Sequence, residues 1–227
     1  MKQRLFYREW AYLAGILTMA FGAAFMEHAG FGLSMVVAPA YLLHRASMPM
    51  LSWFSFGVAE IVFQAILLAV LCLILRSFRF SFFFSFVTSV IYGCCLDGAI
   101  LLVEHLPYTL AMRIVLYIAG MVITSAGVAF FCYTYIAPEV YELFVVKVSK
   151  KFRKPFHFCK TVYDCLSCLF SLILSFTLFG FGEFVGVNWG TIVCALVNGT
   201  LIGLFEKLYD RLWRFEDKFP KLRRIMP

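Results

Sequence analysis

Apolar positions run along this chain in long stretches, separated by short polar intervals. Crossing a bilayer core takes about 20 consecutive apolar residues. Six stretches meet or approach that length: 10–27, 50–75, 80–103, 108–136, 161–181 and 189–206. Residues 31–44 are apolar too, but the stretch is short and Pro39 interrupts it. The pattern predicts an all-α polytopic membrane helical bundle: six transmembrane helices plus a re-entrant segment at 31–44, within a single integral membrane domain over 1–227.

Charge decides why 31–44 is read as re-entrant. If it crossed, Arg76, Arg79 and the basic stretch Lys147–Lys160 would lie outside. If it dips in and returns, 18 of the 20 Lys and Arg residues fall on one side: Lys2, Arg4 and Arg8, then Arg76 and Arg79, then six from Lys147 to Lys160, then seven from Lys207 onward. Cytoplasmic loops collect Lys and Arg, so the second arrangement is expected, in a plasma (bacterial inner) membrane with both termini cytoplasmic. The stretch after Met1 ends near Met26 without a small-residue cleavage site, so it is expected to remain as the first helix.

Composition narrows the class. The chain is 63% hydrophobic and 15% charged, which excludes a soluble domain of ordinary make-up. The net charge of +7 does not point to nucleic acid, because the charges sit at helix ends and in short loops. No nucleic-acid partner is expected. The link 138–160 and the basic cytoplasmic tail 207–227, with Trp213 and Phe215, mix apolar and basic residues and suit the inner headgroup layer, so membrane lipids are expected partners. Small residues at Ala20-x3-Ala24 and Gly199-x3-Gly203 have helix-packing spacing, which leaves a homodimer or a membrane-protein partner open.

Ionisable and polar groups inside a bilayer are costly and therefore candidates for function. Glu60 and Gln64 lie one turn apart in the second span; Asp97 is in the third, and Arg113, followed on one face by Tyr117, in the fourth. Glu27 ends the first span. Two Gly-rich breaks, Ala29–Ser34 and Gly186–Thr191, precede apolar helix starts, so Ser34, Asn188 and Thr191 would present free backbone N–H groups. Together these predict a substrate site in the outer half of the membrane, suited to a small anion or zwitterion, with Asp97 and Arg113 paired. The set His157, Cys159, Cys165 and Cys168 has ligand-like spacing, but its second half enters an apolar helix, and no metal or cofactor is expected. No nucleophile–base pair or phosphate loop is evident, so the chain is not expected to be an enzyme.

Three stretches carry a family resemblance: Gly15–Ser34 with Ala29-Gly30-Phe31-Gly32-Leu33-Ser34; Phe86–Gly93 with Asp97-Gly98; and Asp164–Gly203 with Phe179-Gly180-Phe181-Gly182, Trp189-Gly190-Thr191 and Asn198-Gly199. In these the chain resembles the YczE/YitT-like family of bacterial integral membrane proteins. That family usually has Pro-Trp after the first Gly-rich turn, where this chain has Met35-Val36. The resemblance implies the membrane fold and no settled activity. Short internal echoes, Thr88-Ser89-Val90 with Thr191-Ile192-Val193 among them, suggest half-repeats at 1–136 and 138–206. A repeat-built transporter would hold its site between the halves. A small-solute permease is therefore the leading expectation. The alternatives are a non-transporting accessory protein for a biosynthetic or export system, and the substrate-binding subunit of an ATP-driven importer.

Overall fold

The computed structural model describes residues 4–77, 81–154, 156–182 and 184–219. In chain order the elements are β1 (Arg4–Tyr7), α1 (Arg8–Ala29), α2 (Ala38–Ser47), α3 (Phe56–Leu75), α4 (Ser81–Val103), α5 (Leu110–Phe131), α6 (Val140–Phe152), α7 (Phe156–Phe179), α8 (Trp189–Leu212) and β2 (Trp213–Glu216). All six long helices are apolar enough to cross a membrane, so the chain is an all-α polytopic helical bundle.

The bundle is built on α1 against α5. Each carries two glycines seven residues apart, Gly15 and Gly22 against Gly120 and Gly127. They pair antiparallel: a Cβ on Gly22 would lie 2.8 Å from the Gly120 carbonyl oxygen, and one on Gly127 would lie 2.9 Å from that of Gly15. Without side chains at the crossing, the backbones touch, which is how helices gain packing in lipid where no hydrophobic drive separates them from the acyl chains. Ala20 and Ala24 are buried in the same core, so this small-residue face is used inside the chain and is not free for a partner.

Side-chain bonds fix the other directions. Tyr117 bonds the Gly190 carbonyl, Ser125 bonds Asn198, and Tyr133, just beyond α5, bonds the Glu206 carbonyl, so α5 and α8 run parallel. Asp97 caps Gly57 and Ser89 bonds Gln64, so α3 and α4 run antiparallel. Tyr12 near the start of α1 bonds Thr88 near the start of α4, 2.9 Å apart.

The order of elements repeats. Helices α1 and α5 begin at 8 and 110 and end at 29 and 131, while α2 and α6 begin at 38 and 140, a constant offset of 102 residues. Packing repeats as well: α1 meets α4 as α5 meets α8, and α2 meets α7 as α6 meets α3. Because α1 and α5 are antiparallel, the two halves have opposite orientation. The matching elements fall on either side of the α4–α5 turn, whereas the sequence echoes suggested halves at 1–136 and 138–206. One asymmetry stands out: α3 packs closely along α4, whereas α7 and α8 barely touch.

Helix α2 has ten residues, about 15 Å, too short to cross. It returns the chain to the face where α1 ended, since α3 starts there, which is the expected re-entrant behaviour. Its counterpart was not foreseen. The link 138–160 is not a surface helix throughout: Val140, Tyr141, Leu143 and Val145 of α6 are buried, and its N-terminus inserts between α3 and α4. Nor is the tail a separate anchor. Helix α8 continues to Leu212, and β2 then pairs in parallel with β1, Leu5 opposite Arg214. Trp213 and Phe215 stack with Phe6, Phe130 and Tyr133, and Arg8 pairs with Asp217. Both described ends of the chain therefore lie on one face. Residues 1–3 and 220–227 of the expected termini lie outside the described residues.

Candidate functional site

The second re-entrant segment leaves α5 and reaches Glu139, the N-cap residue of α6. Helix α3 meets it at Gln64, eight residues and so about 12 Å from that helix's start. The Gln64 amide Nε2 donates to Glu139 Oε2 at 3.4 Å and to Glu60 Oε2 at 3.5 Å. Its Oε1 accepts from the Val140 N–H at 3.2 Å and from the Ser89 hydroxyl. Tyr141 donates to Glu60 Oε2 at 2.7 Å. Glu60, Gln64 and Glu139 are all fully enclosed, at 0%, 0% and 1% exposure. A carboxylate buried this way demands partners, yet among the described residues Oε1 of Glu60 and Oε1 of Glu139 have none.

Glu139 borders a small cavity of about 40 Å3 at the meeting of the two halves. That volume holds a few waters at most, since one water takes about 10–15 Å3 of such space. Ser34 from the first re-entrant segment, Thr124 from α5 and Asn198 from α8 add polar lining. Thr124 Oγ1 is also buried without a partner among the described residues. On α7, Lys160 pairs with Glu142 at 3.1 Å and with Asp164 at 3.5 Å. Four carboxyls, those of Glu60, Glu139, Glu142 and Asp164, thus neighbour one another, and two of them, Glu142 and Asp164, hold the Lys160 ammonium. For Glu139, which lies outside the six spans, burial first and then the neighbouring Glu60 and Glu142 charges push the pKa upward.

Two further cavities flank this one. Toward the face that carries the chain ends, a vestibule of about 430 Å3 opens between α5, α6, α7 and α8; it shares Glu142, Lys160, Val128 and Ile202 with the central cavity. Gly199 and Gly203 border it, with nothing within 4 Å of an added Cβ. On the opposite side a polar cavity of about 120 Å3 is lined by Glu27, Tyr41, Gly32 and Asn188, with Met26 shared with the centre. The vestibule is the gap left by the α7–α8 separation. Helices α3 and α4 instead close on each other where Gly57 and Gly93 touch, and the space of about 500 Å3 farther along them, at Ala65, Leu68, Ala69, Cys72, Leu73 and Phe86, is an open surface groove without charged lining.

The residues singled out from the sequence therefore sort into separate places. Glu60 and Gln64 belong to the buried carboxyl cluster, and Ser34 to the central cavity. Glu27 and Asn188 line the cavity on the side away from the chain ends. Asp97 and Arg113 do not pair, and this expectation is corrected. Asp97 Oδ1 accepts the Gly57 N–H at 2.7 Å and Oδ2 accepts from Ser55, at the N-terminus of α3. Arg113 Nε donates to the Ala29 carbonyl at 2.7 Å, and its guanidinium lies over the rings of Phe31 and Tyr108. Each charge is thus answered by the end of a neighbouring helix, an acid at an N-terminus and a base at a C-terminus. Tyr117 bonds Gly190, while Thr191 and Asn188 cap each other's backbone. The free N–H groups expected at 186–191 are consumed there: Gly190 N–H bonds the Phe31 carbonyl at 3.1 Å and Thr191 N–H the Asn188 carbonyl at 2.9 Å.

Residues 6–207 match a family described as a family of unknown function, DUF6198. The chain belongs to that family. No curated protein and no solved structure matches it. The family match spans both halves and the whole central cavity.

Glu139, Glu142, Lys160, Asp164, Thr124 and Asn198 were missed as site residues. One signal could have found the first. Ala38-Pro39-Ala40-Tyr41 is echoed by Ala137-Pro138-Glu139-Val140-Tyr141: Ala-Pro opens α2 and immediately precedes the N-cap of α6, with Tyr following in both.

Proposed function

We propose that this chain is a small-solute transporter of the plasma membrane, working by alternating access around the central cavity, with the chain ends in the cytoplasm. The observation that supports it best is the asymmetry between two oppositely oriented halves: α3 and α4 are closed on each other, α7 and α8 stand apart, and the cavity between them continues into the vestibule. An inverted repeat lets the two arrangements exchange, opening the site to one face and then to the other. In this reading the structure is the inward-open form. The predominance of carboxyls over ammonium in the lining suits a cation or zwitterion better than an anion. The outer cavity with Glu27 and Asn188 would be the other half of the path.

The test pairs binding with transport. Purified protein is melted against a panel of small cations, zwitterions and anions, and each stabilising solute is offered to proteoliposomes. A solute that raises the melting temperature should accumulate in vesicles, and Asn198→Leu should abolish that uptake. Stabilising solutes that never cross, with wild-type protein correctly inserted, would sink the reading.

A further inference from the structure

We propose that Glu139 is a proton-binding site, loaded from the vestibule and shielded from the opposite face in this form. The inference deepens the transport reading and rests on it for its purpose, but proton binding itself can be measured without any solute.

Three features of the geometry lead there. Glu139 Oε1 is buried, unpartnered and at the wall of a cavity that holds water-sized groups. Its other oxygen has a single donor, Gln64 Nε2. Glu60 shares that donor and has a second, the Tyr141 hydroxyl. Of the two carboxyls, Glu139 is the less supported as an anion, and an ionised carboxylate without partners in such a place is costly.

Of the groups near it, the carboxyls of Glu60 and Glu142 favour the protonated acid, while Lys160 and the Gln64 amide favour the anion. Helix α3 presents Glu60, and α6 presents Glu142 and the Tyr141 hydroxyl. Helix α7 presents Lys160 with Asp164, α4 presents Tyr92, and α1 presents Tyr12. The one ammonium is held by Glu142 and Asp164, which leaves Glu139 without a full counter-charge. A hard metal cation wants about six oxygen ligands or more. The cavity mixes its oxygen-bearing side chains with Met19, Met26, Val37 and Val128, and among the described residues no group of three or more His, Cys, Asp or Glu side chains is placed to hold a metal ion, so a proton fits and such an ion does not.

The step is simple in atoms. Oε1 gains a proton from a hydronium in the vestibule, leaving water, and returns it to water on release. Glu142 and Lys160 border both cavities and stand on that route.

The experiment is an infrared pH titration of the full chain in lipid nanodiscs, comparing wild type, Glu139→Gln and Glu142→Gln. Wild type should show a protonated-carboxyl carbonyl band that persists at neutral pH and disappears at alkaline pH while the helical amide signal is unchanged. That band should shrink in Glu139→Gln, an isostere of the protonated acid that should fold, with any remainder removed by adding Glu60→Gln, and should keep its full amplitude in Glu142→Gln. A wild-type spectrum without such a band at neutral pH overturns the proposal, whatever the variants do, and so does a band of full amplitude in Glu139→Gln. Because no solute is involved, a failure here leaves the uptake result standing, and a failure of uptake leaves this one standing.

Discussion

Asp97 grips Gly57 rather than Arg113: its carboxylate closes the first turn of α3, with Oδ1 2.7 Å from the Gly57 nitrogen. The two charged residues share no partner, so their effects on stability should add. Asp97→Asn should cost about 1 kcal/mol through the weakened cap. Arg113→Gln should cost more through the lost helix-end bond, on the order of 1.5–3 kcal/mol for a charged donor. The double change should equal the sum within about 0.5 kcal/mol. Thermal melting of the four proteins measures it, and a double variant more stable than either single one would restore the direct pair.

The α1–α5 contact predicts which glycines matter. Gly22→Ala and Gly120→Ala each push a Cβ to within 3 Å of a backbone carbonyl on the other helix. Overpacking of this kind costs roughly 1–3 kcal/mol. Gly98→Ala and Gly199→Ala meet nothing within 4 Å and should be neutral or slightly stabilising. Equal losses at all four sites would mean that α1 and α5 do not cross in this way.

Lys160 balances two carboxylates, and removing it alone should be worse than removing the whole set. Lys160→Met should destabilise by about 3–5 kcal/mol, the usual cost of orphaning buried charge. Lys160→Met with Glu142→Gln and Asp164→Asn should recover most of that. A triple variant no better than the single one would show that the three groups act independently.

Glu139 also sets a pH dependence of stability. Burial raises its pKa in the folded chain, so the folded protein holds a proton that the unfolded chain gives up. Stability from this group is complete below the unfolded carboxyl pKa, about 4.3. It is lost as pH rises through the folded value. Melting temperature should therefore fall from acid to alkaline pH, and the fall should be shallower in Glu139→Gln. Identical slopes in the two proteins would assign the effect to another group.

Sidedness gives the last test. Arg45 at the end of α2 and Lys150 in α6 are exposed and should lie on opposite faces. In a background without native cysteines, Arg45→Cys and Lys150→Cys should label from opposite sides. Leu5→Cys with Arg214→Cys, partners in the β1–β2 register, should form a disulfide. Same-side labelling of the first pair would reverse the re-entrant assignment.

By itself the sequence determined the six spans and the re-entrant 31–44 segment, because desolvating the backbone in lipid forces long apolar helices and loop charge is asymmetric. Glu60 and Gln64 were legible as important for the same reason: a polar side chain deep in an apolar helix has to be answered. Who answers it is a different kind of fact. Glu60 and Gln64 meet Glu139 and Tyr141 from 75 or more residues away, and Glu139 sits in a link whose basic, mixed composition reads as surface. Local pattern carries no information on that contact, which depends on how α6 inserts beside α3. The same limit explains Asp97 and Arg113. Similar depth in adjacent spans made a pair plausible, but a helix N-terminus and a helix C-terminus stood nearer, and only packing shows where helix ends fall. The inverted halves were visible in sequence only as fragments, since lipid-facing positions accept almost any apolar residue. The tertiary structure exposed them through direction and offset, the two properties that decide where a central cavity can form.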